Sequence, residues 1–325
     1  MAKSSQRWKD LPDYIIGITR EIWEERGIAT LNHCYAADIP VRFAEGITIG
    51  NQAVINGTLA TLAQFPDREL LGEDVIWCGN EQDGFLSSHR LLTMGTHTGD
   101  GVFGPPTNKR FIVRAIADCA VTNHQINDEW LIRDTAGIVT QLGMDVRTFA
   151  RNLIIREGGP EKCARPYHPA INVQGPYRGR GNDSPWGKKL AAILNCIMQK
   201  DIAIIPSSYD RAVQTEHPSA ITVHSHSDTE KLWMGLRSSF PSAKFAIEHQ
   251  IGREDDMMPP RAAIRWGMTG THDGWGMFGQ PSGADVHIMG FTHVEFGPYG
   301  IRREFTLFDP VSIWKQIYMH QGTGT

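Results

Sequence analysis

The chain has 325 residues, a net charge of −4, 41% hydrophobic and 21% charged residues, the make-up of a globular protein long enough for two domains. It carries no basic run, which argues against nucleic acid or an anionic membrane as a partner, and no stretch long enough to span a bilayer. Five scattered cysteines, Cys34, Cys78, Cys119, Cys163 and Cys196, have no C-x-x-C spacing, so neither a disulfide framework nor a zinc site is suggested and reduced thiols in a cytoplasm fit best.

Met1 to Arg7 leads into a charged amphipathic segment without the apolar core of a signal peptide. Asp13 to Arg26 reads as a helix, with Tyr14, Ile15, Ile18, Ile22 and Trp23 on one side and Gly27 as a stop. Ile28 to Tyr35 suggests a second helix, and Gly50 to Gln64 a third that ends at Phe65-Pro66. Four extended runs follow, Leu70–Cys78, Phe85–His97, Arg110–Val121 and Gln125–Asp134, and then a short helical tail, Gly137–Gly143. Helices first and antiparallel strands after is an α+β pattern, a curved sheet with helices on one face. Residues 146–185 read as an ordered or semi-ordered linker, rich in Gly, Pro and aromatic residues. From Trp186 the pattern restarts, with helices over Lys188–Asp201 and Ser227–Ser239 and strands after them.

The restart is a repeat. Gly95-Thr96-His97-x-Gly99-x-Gly101-x-Phe103-Gly104-x-Pro106 returns as Gly270-Thr271-His272-x-Gly274-x-Gly276-x-Phe278-Gly279-x-Pro281, at an offset of 175. The register holds without a gap from Phe65 to Gln141, and 14 of the 52 positions between Arg90 and Gln141 are identical. That argues for two domains, 1–145 and 186–325, of one kind. The glycine-rich loop lacks the spacing of a phosphate cradle and reads as a long hairpin.

Strand alternation gives directions. Ile126, Asp128, Trp130, Ile132 and Asp134 share a face that is largely apolar in both halves, so it is read as facing the core. Phe85, Ser87, His89, Leu91, Thr93, Gly95 and His97 share the inward face of the earlier strand. An inward carboxylate has a raised pKa and suits acid–base work. Asp134 and His97 are therefore the candidate pair, with Trp130, His89, Leu91 and Ile132 as pocket wall. Asp309, His272, Phe305 and Trp266 are their counterparts in the second half. Against this stand capping by Asp134 and Asp309 of the helices that follow and a purely hydrogen-bonded role for the two histidines. Arg90, Arg265, Glu129 and Glu304 fall on the other face, where a buried ion pair or a sheet-to-sheet contact is the default. His224 and His226 read as a solvated turn, and no metal is expected.

The motifs His89-Arg90-x5-Thr96-His97-Thr98-Gly99, Phe103-Gly104-Pro105-Pro106-Thr107-x-Lys109 and Asp128-Glu129-Trp130-Leu131-Ile132-Arg133-Asp134-Thr135-Ala136-Gly137-x3-Gln141-Leu142-Gly143 resemble the SnoaL-type polyketide cyclases. Those belong to the nuclear transport factor two-like superfamily. The resemblance spans nearly all of the first half and is weaker in the second. It implies a cone-shaped α+β barrel with an internal pocket and intramolecular aldol chemistry without metal or cofactor. In that chemistry an aspartate, matched here by Asp134, would be the base, with Trp130 and His97 beside it. The second half keeps Asp309 and His272 but has Phe305 and Phe308 where the first has Trp130 and Arg133. The expectation is thus two tandem cones packed sheet to sheet as an intrachain pseudo-dimer, with assembly into a homo-oligomer left open. The leading function is acid–base catalysis on a small carbonyl substrate by aldol, isomerase, lyase or hydrolase chemistry. The other reading is a non-catalytic ligand-binding or assembly protein.

Overall fold

A computed structural model describes residues 7–322; the first six residues of the stretch read as lacking a signal peptide lie outside them. The first half opens with α1 (Leu11–Trp23), capped by the Asp10 carboxylate, which accepts from the Asp13 amide at 2.9 Å. Its buried Leu11, Tyr14, Ile15, Ile18 and Ile22 form one stripe. The short α2 (Leu31–Cys34), β1 (Pro40–Phe43), β2 (Gly46–Ile49) and α3 (Asn51–Gln64) follow. Then come β3 (Glu69–Asn80), β4 (Gly84–Thr96), β5 (Arg110–Thr122), β6 (Gln125–Arg133) and α4 (Thr135–Gln141). The sheet order is β2-β1-β6-β5-β4-β3. Pairing is antiparallel except for the parallel contact of β1 with β6.

After α5 (Val146–Arg156) the second half repeats this with α6 (Pro185–Met198), α7 (Ile204–Ser208), β7 (Tyr209–His217), β8 (Ile221–His224) and α8 (His226–Ser239). It ends with β9 (Lys244–Arg253), β10 (Arg261–Thr271), β11 (Asp285–Gly297), β12 (Gly300–Leu307) and α9 (Pro310–Gln321). Its sheet order, β8-β7-β12-β11-β10-β9, is that of the first with each strand replaced by its copy. The four strands read in the first half are present, and their copies follow the helices of the second. The short pairs β1–β2 and β7–β8 are additional.

The bulges repeat as well. Asn127 is an extra residue in β6, where the partners of Val121 and Ala120 are Ile126 and Asp128, and Arg302 is its counterpart in β12. Glu73 in β3 and Glu248 in β9 form a second matched pair. An extra residue turns the side chains beyond it to the opposite face, and here it decides what each face carries.

The convex faces of the two sheets pack on each other. Ile116, Trp130 and Ile132 meet Met289, Phe291 and Leu307, and Ile76, Leu86 and Ala120 meet Ile251 and Ala263. Around this apolar contact the charges pair across and within the halves. Arg265 donates to Asp118 at 3.0 Å and to the bulge residue Glu248 at 2.6 Å, and its guanidinium lies 4.0 Å from the Trp130 ring centre. Arg90 donates to the bulge residue Glu73 at 2.8 Å and lies 3.5 Å from the Phe305 ring centre. The two arrangements are one motif related by the offset of 175.

The linker expectation is refined. Residues 146–156 are helical, and Phe149, Ala150 and Ile154 pack with the second half's core. Residues 172–182 then run across the interface as a strap. Asn172 and Val173 accept from Arg42, the Tyr177 amide donates to Asp128 at 3.1 Å, and the Tyr177 hydroxyl meets His249 at 3.0 Å. Asn182 donates to Gly252 and Gln250 in β9.

Arg265→Leu leaves Asp118 buried with its chief cationic partner gone. Breaking a buried pair of this kind costs about 3–5 kcal/mol. Urea unfolding should show a loss of that order, and a loss below about 1 kcal/mol would mean that apolar packing alone holds the halves together.

Candidate functional site

A cavity of about 250 Å³ lies between the helices and the concave sheet face of the first half. At ~30 Å³ per water it holds roughly eight waters, a small-molecule volume. Ile15, Ile18, Ile22 and Trp23 of α1 form one wall, Val54 and Thr58 of α3 another, and Leu70, His89, Leu91, Glu129, Leu131 and Arg133 the sheet side. Two expected wall residues, His89 and Leu91, are therefore in place, because β4 runs without a bulge between them.

The other expected residues lie elsewhere. The Asn127 bulge leaves Ile126 facing the cone but turns Glu129, Leu131 and Arg133 inward in place of Asp128, Trp130 and Ile132. Trp130 and Ile132 consequently belong to the interface between the halves, as does Phe305.

Asp134 is also displaced from its expected role. It is buried and caps α4, accepting from the Gly137 amide at 3.0 Å, and it accepts from the Ser219 and Ala220 amides of the second half at 2.7 and 2.6 Å. Both turn residues have positive φ, 75° and 56°, which aims two adjacent N–H groups at one carboxylate. Burial pushes the Asp134 carboxyl up, and the three amides oppose that. Asp309 caps α9 through the Val311 and Ser312 amides, both at 3.0 Å.

His97 faces the loop 97–109 rather than the cavity. Its ring packs on Phe65 and Phe103, and Nδ1 lies 3.2 Å from the Thr107 hydroxyl. His272 likewise packs on Phe240 and meets the Ser282 hydroxyl at 2.9 Å, and Phe278 packs on Phe240. The adjoining glycines serve close approach. A Cβ at Gly99 would sit 2.0 Å from the Ala63 carbonyl oxygen, and one at Gly274 2.0 Å from that of Ser238. The repeated Gly-Thr-His motif thus fastens a hairpin loop to the end of α3 or α8. No hydrogen bond or ring contact joins Asp134 to His97 among the described residues.

The polar groups lining the cone are Glu129, Tyr35, Arg133, Arg68 and His89 with a few threonines. Burial raises the Glu129 carboxyl to about 7, opposed by hydrogen bonding to Tyr35 and by the charge of Arg133. Its Oε2 has no hydrogen-bond partner among the described residues. His89 is pushed down to about 4 by burial, partly offset by Asp118, so its ring is neutral. Among the described residues no group of three or more His, Cys, Asp or Glu is placed to hold a metal ion, and no helix is long and apolar enough to cross a membrane.

The inner part of the second cone is filled, and a more open cavity of about 400 Å³ remains at its mouth, lined by His217, Val223, Leu232, Phe278 and Phe308. Thr58 is replaced by Trp233, Leu91 by Trp266 and Leu70 by Phe245, and these pack in the core of that half. Trp266 is thus where alternation put it, inside the cone, but as filling. The carboxyl equivalent to Glu129, Glu304, accepts from Tyr209 at 2.6 Å and from Thr306 at 2.7 Å.

A curved six-stranded sheet wrapped on helices, present twice, is the nuclear transport factor two-like α+β fold. Residues 14–142 match the SnoaL-like polyketide cyclase family. Among solved structures the chain is similar to IdmH, a putative polyketide cyclase from Streptomyces antibioticus, at 22% identity and a TM-score of 0.36, covering 41% of this chain and 98% of that one. It is also similar to a putative polyketide cyclase from Acidithiobacillus ferrooxidans, at 19% identity and a TM-score of 0.35, covering 44% and 97%. TsrD from Streptomyces laurentii, at 18% identity, gives the same TM-score and coverages. No curated protein matches.

Because the Glu129 carboxyl moves from 4.5 unfolded to about 7 folded, the folded state holds its proton more tightly. Its stabilising contribution is complete below pH 4.5 and is lost as pH rises to about 7. Glu129→Gln removes that dependence. The stability difference between wild type and variant should therefore change by roughly 3 kcal/mol at most across this window. Taking the difference isolates Glu129 from His89, whose shift runs the other way. A pH-independent difference would place Glu129 in a hydrated, unshifted setting.

Proposed function

We propose that the first cone carries out cofactor-independent acid–base chemistry on a small carbonyl compound, of the aldol type associated with SnoaL-like polyketide cyclases. In this reading Glu129 replaces Asp134 as the base. The observation that carries it is a buried carboxyl with a near-neutral pKa on the wall of a cavity lined largely by apolar side chains. A base tuned close to the working pH is half ionised there and can both take and return a proton.

Glu129 removes the proton from a carbon next to the substrate carbonyl, and the electron pair moves onto the carbonyl oxygen as an enolate. The Tyr35 hydroxyl and the positive charge of Arg133 favour that negative charge. The enolate carbon bonds to a second carbonyl carbon of the same molecule, and the oxygen released there takes back the proton from Glu129. His89, neutral and buried, serves as wall and hydrogen-bonding surface. The second half supports the first as its packed counterpart, a role consistent with Trp233 and Trp266 occupying its cone.

The test is α-proton exchange of aromatic β-diketones and β-keto esters in D2O, followed by NMR. Wild type should accelerate deuteration, with a rate that rises as pH passes through about 7. Glu129→Gln should lose about a hundredfold or more, whereas folded Asp134→Asn should keep the activity. Exchange that survives in Glu129→Gln, or that vanishes in folded Asp134→Asn, would sink the assignment.

A further inference from the structure

Arg68 is a buried cation whose charge has no counterion. It is 4% exposed, yet among the described residues no carboxylate lies within ion-pair distance of it. Its Nε donates to the Thr93 hydroxyl at 3.2 Å. The flat faces around it are aromatic, with the Trp23, Phe111 and Phe65 ring centres 5.3, 5.7 and 5.9 Å from the guanidinium. The side chain lines the cavity, and its remaining N–H groups have no hydrogen-bond acceptor among the described residues.

Arg133 stands on the same cavity wall, 5.1 Å from the Phe43 ring centre and likewise without an ion pair among the described residues. The lining thus holds two arginines against one acidic side chain, Glu129. The internal repeat acts as a control. At the equivalent positions of the second cone Arg68 is replaced by Ala243 and Arg133 by Phe308. The two arginines line the cavity of the first cone and have apolar counterparts in the second.

A desolvated guanidinium without a counterion is unfavourable in the resting protein, and an anion already present on the ligand offsets it. A neutral ketone does not, because its enolate charge appears only during reaction. We propose that the ligand of the first cone is a small, mostly apolar molecule bearing a carboxylate, and that Arg68, supported by Arg133, receives that group. Arginine suits the task, since its planar fork meets both oxygens of a carboxylate. This rests on the first cone being the functional site, and it names the substrate class for that site.

The test pairs 2-naphthoate, 3-phenylpropanoate and 4-phenylbutanoate with their methyl esters and measures binding by titration calorimetry. The proteins are wild type, Arg68→Met, Arg68→Lys and Arg133→Met. At least one acid should bind wild type about tenfold more tightly than its ester, with a preference that weakens as salt is raised. Arg68→Met should abolish the preference, while Arg68→Lys and Arg133→Met should reduce it in part. If Arg68→Met does not fold, these two variants carry the test. Acids that bind no better than esters, absence of binding by both classes, or a preference unchanged by the arginine variants would overturn the proposal. The readout is binding, and Glu129→Gln should bind the acids at least as tightly as wild type. A failure here therefore leaves the proton-exchange result standing, and the reverse also holds.

Discussion

Asp118 is completely buried, and the groups that meet it, the Arg265 guanidinium at 3.0 Å and the His249 ring at 3.4 Å, both come from the other half of the chain. A carboxylate in that position is tolerable only while those partners stay in place. The same holds for Asp74, paired with Arg261 of the other half. Each convex sheet face therefore carries charges that the opposite face must satisfy, and each half needs the other. Fusing the two copies makes their contact intramolecular, and the strap over residues 172–182 closes it further by bonding to both sheets.

Once the convex faces are committed to each other, the concave faces are left to line the cones, and the bulges set what they carry. Without the Asn127 bulge, Trp130 would point into the cone and Glu129 would join the interface. With it, Trp130 lies beneath Arg42 and Arg265, and Glu129 enters the cavity. The matched bulge at Arg302 sends Glu304 inward in the same way. One inserted residue in each half separates the packing set from the site set.

This also explains what could be read from the sequence. The repeat, the tandem α+β organisation and the order of the main strands were legible because they depend on apolar periodicity over nine or more residues in most of these strands. The short strands Pro40–Phe43 and Gly46–Ile49 were not, since four residues give too little pattern. Alternation placed His89 and Leu91 correctly on an unbulged strand and misplaced Trp130, Ile132 and Glu129 beyond a bulge. The repeated Gly-Thr-His motif drew attention as a site because it is polar and duplicated, yet it is duplicated because both halves must pin the same loop. The pairing of Tyr35 with Glu129 is duplicated too, as Tyr209 with Glu304. The tyrosines are 174 apart and the glutamates 175, so an ungapped comparison hides it.

The two glutamates show where function separates from folding. Glu304 has a hydroxyl on each oxygen, and the chain continues from Thr306 to Thr292 to Trp266, so that carboxyl is fully used inside a filled core. Glu129 occupies the same place in the same fold, but Thr306 is replaced by Leu131, Thr292 by Ala117 and Trp266 by Leu91. Each replacement removes a hydrogen-bonding group or bulk, and together they open the space and leave Oε2 without a partner. A buried carboxyl deprived of its internal partners holds its proton more tightly and can lend it to whatever enters the cavity. The closed copy shows that the fold can satisfy this glutamate completely, and the open copy departs from that arrangement at the positions that face the cavity.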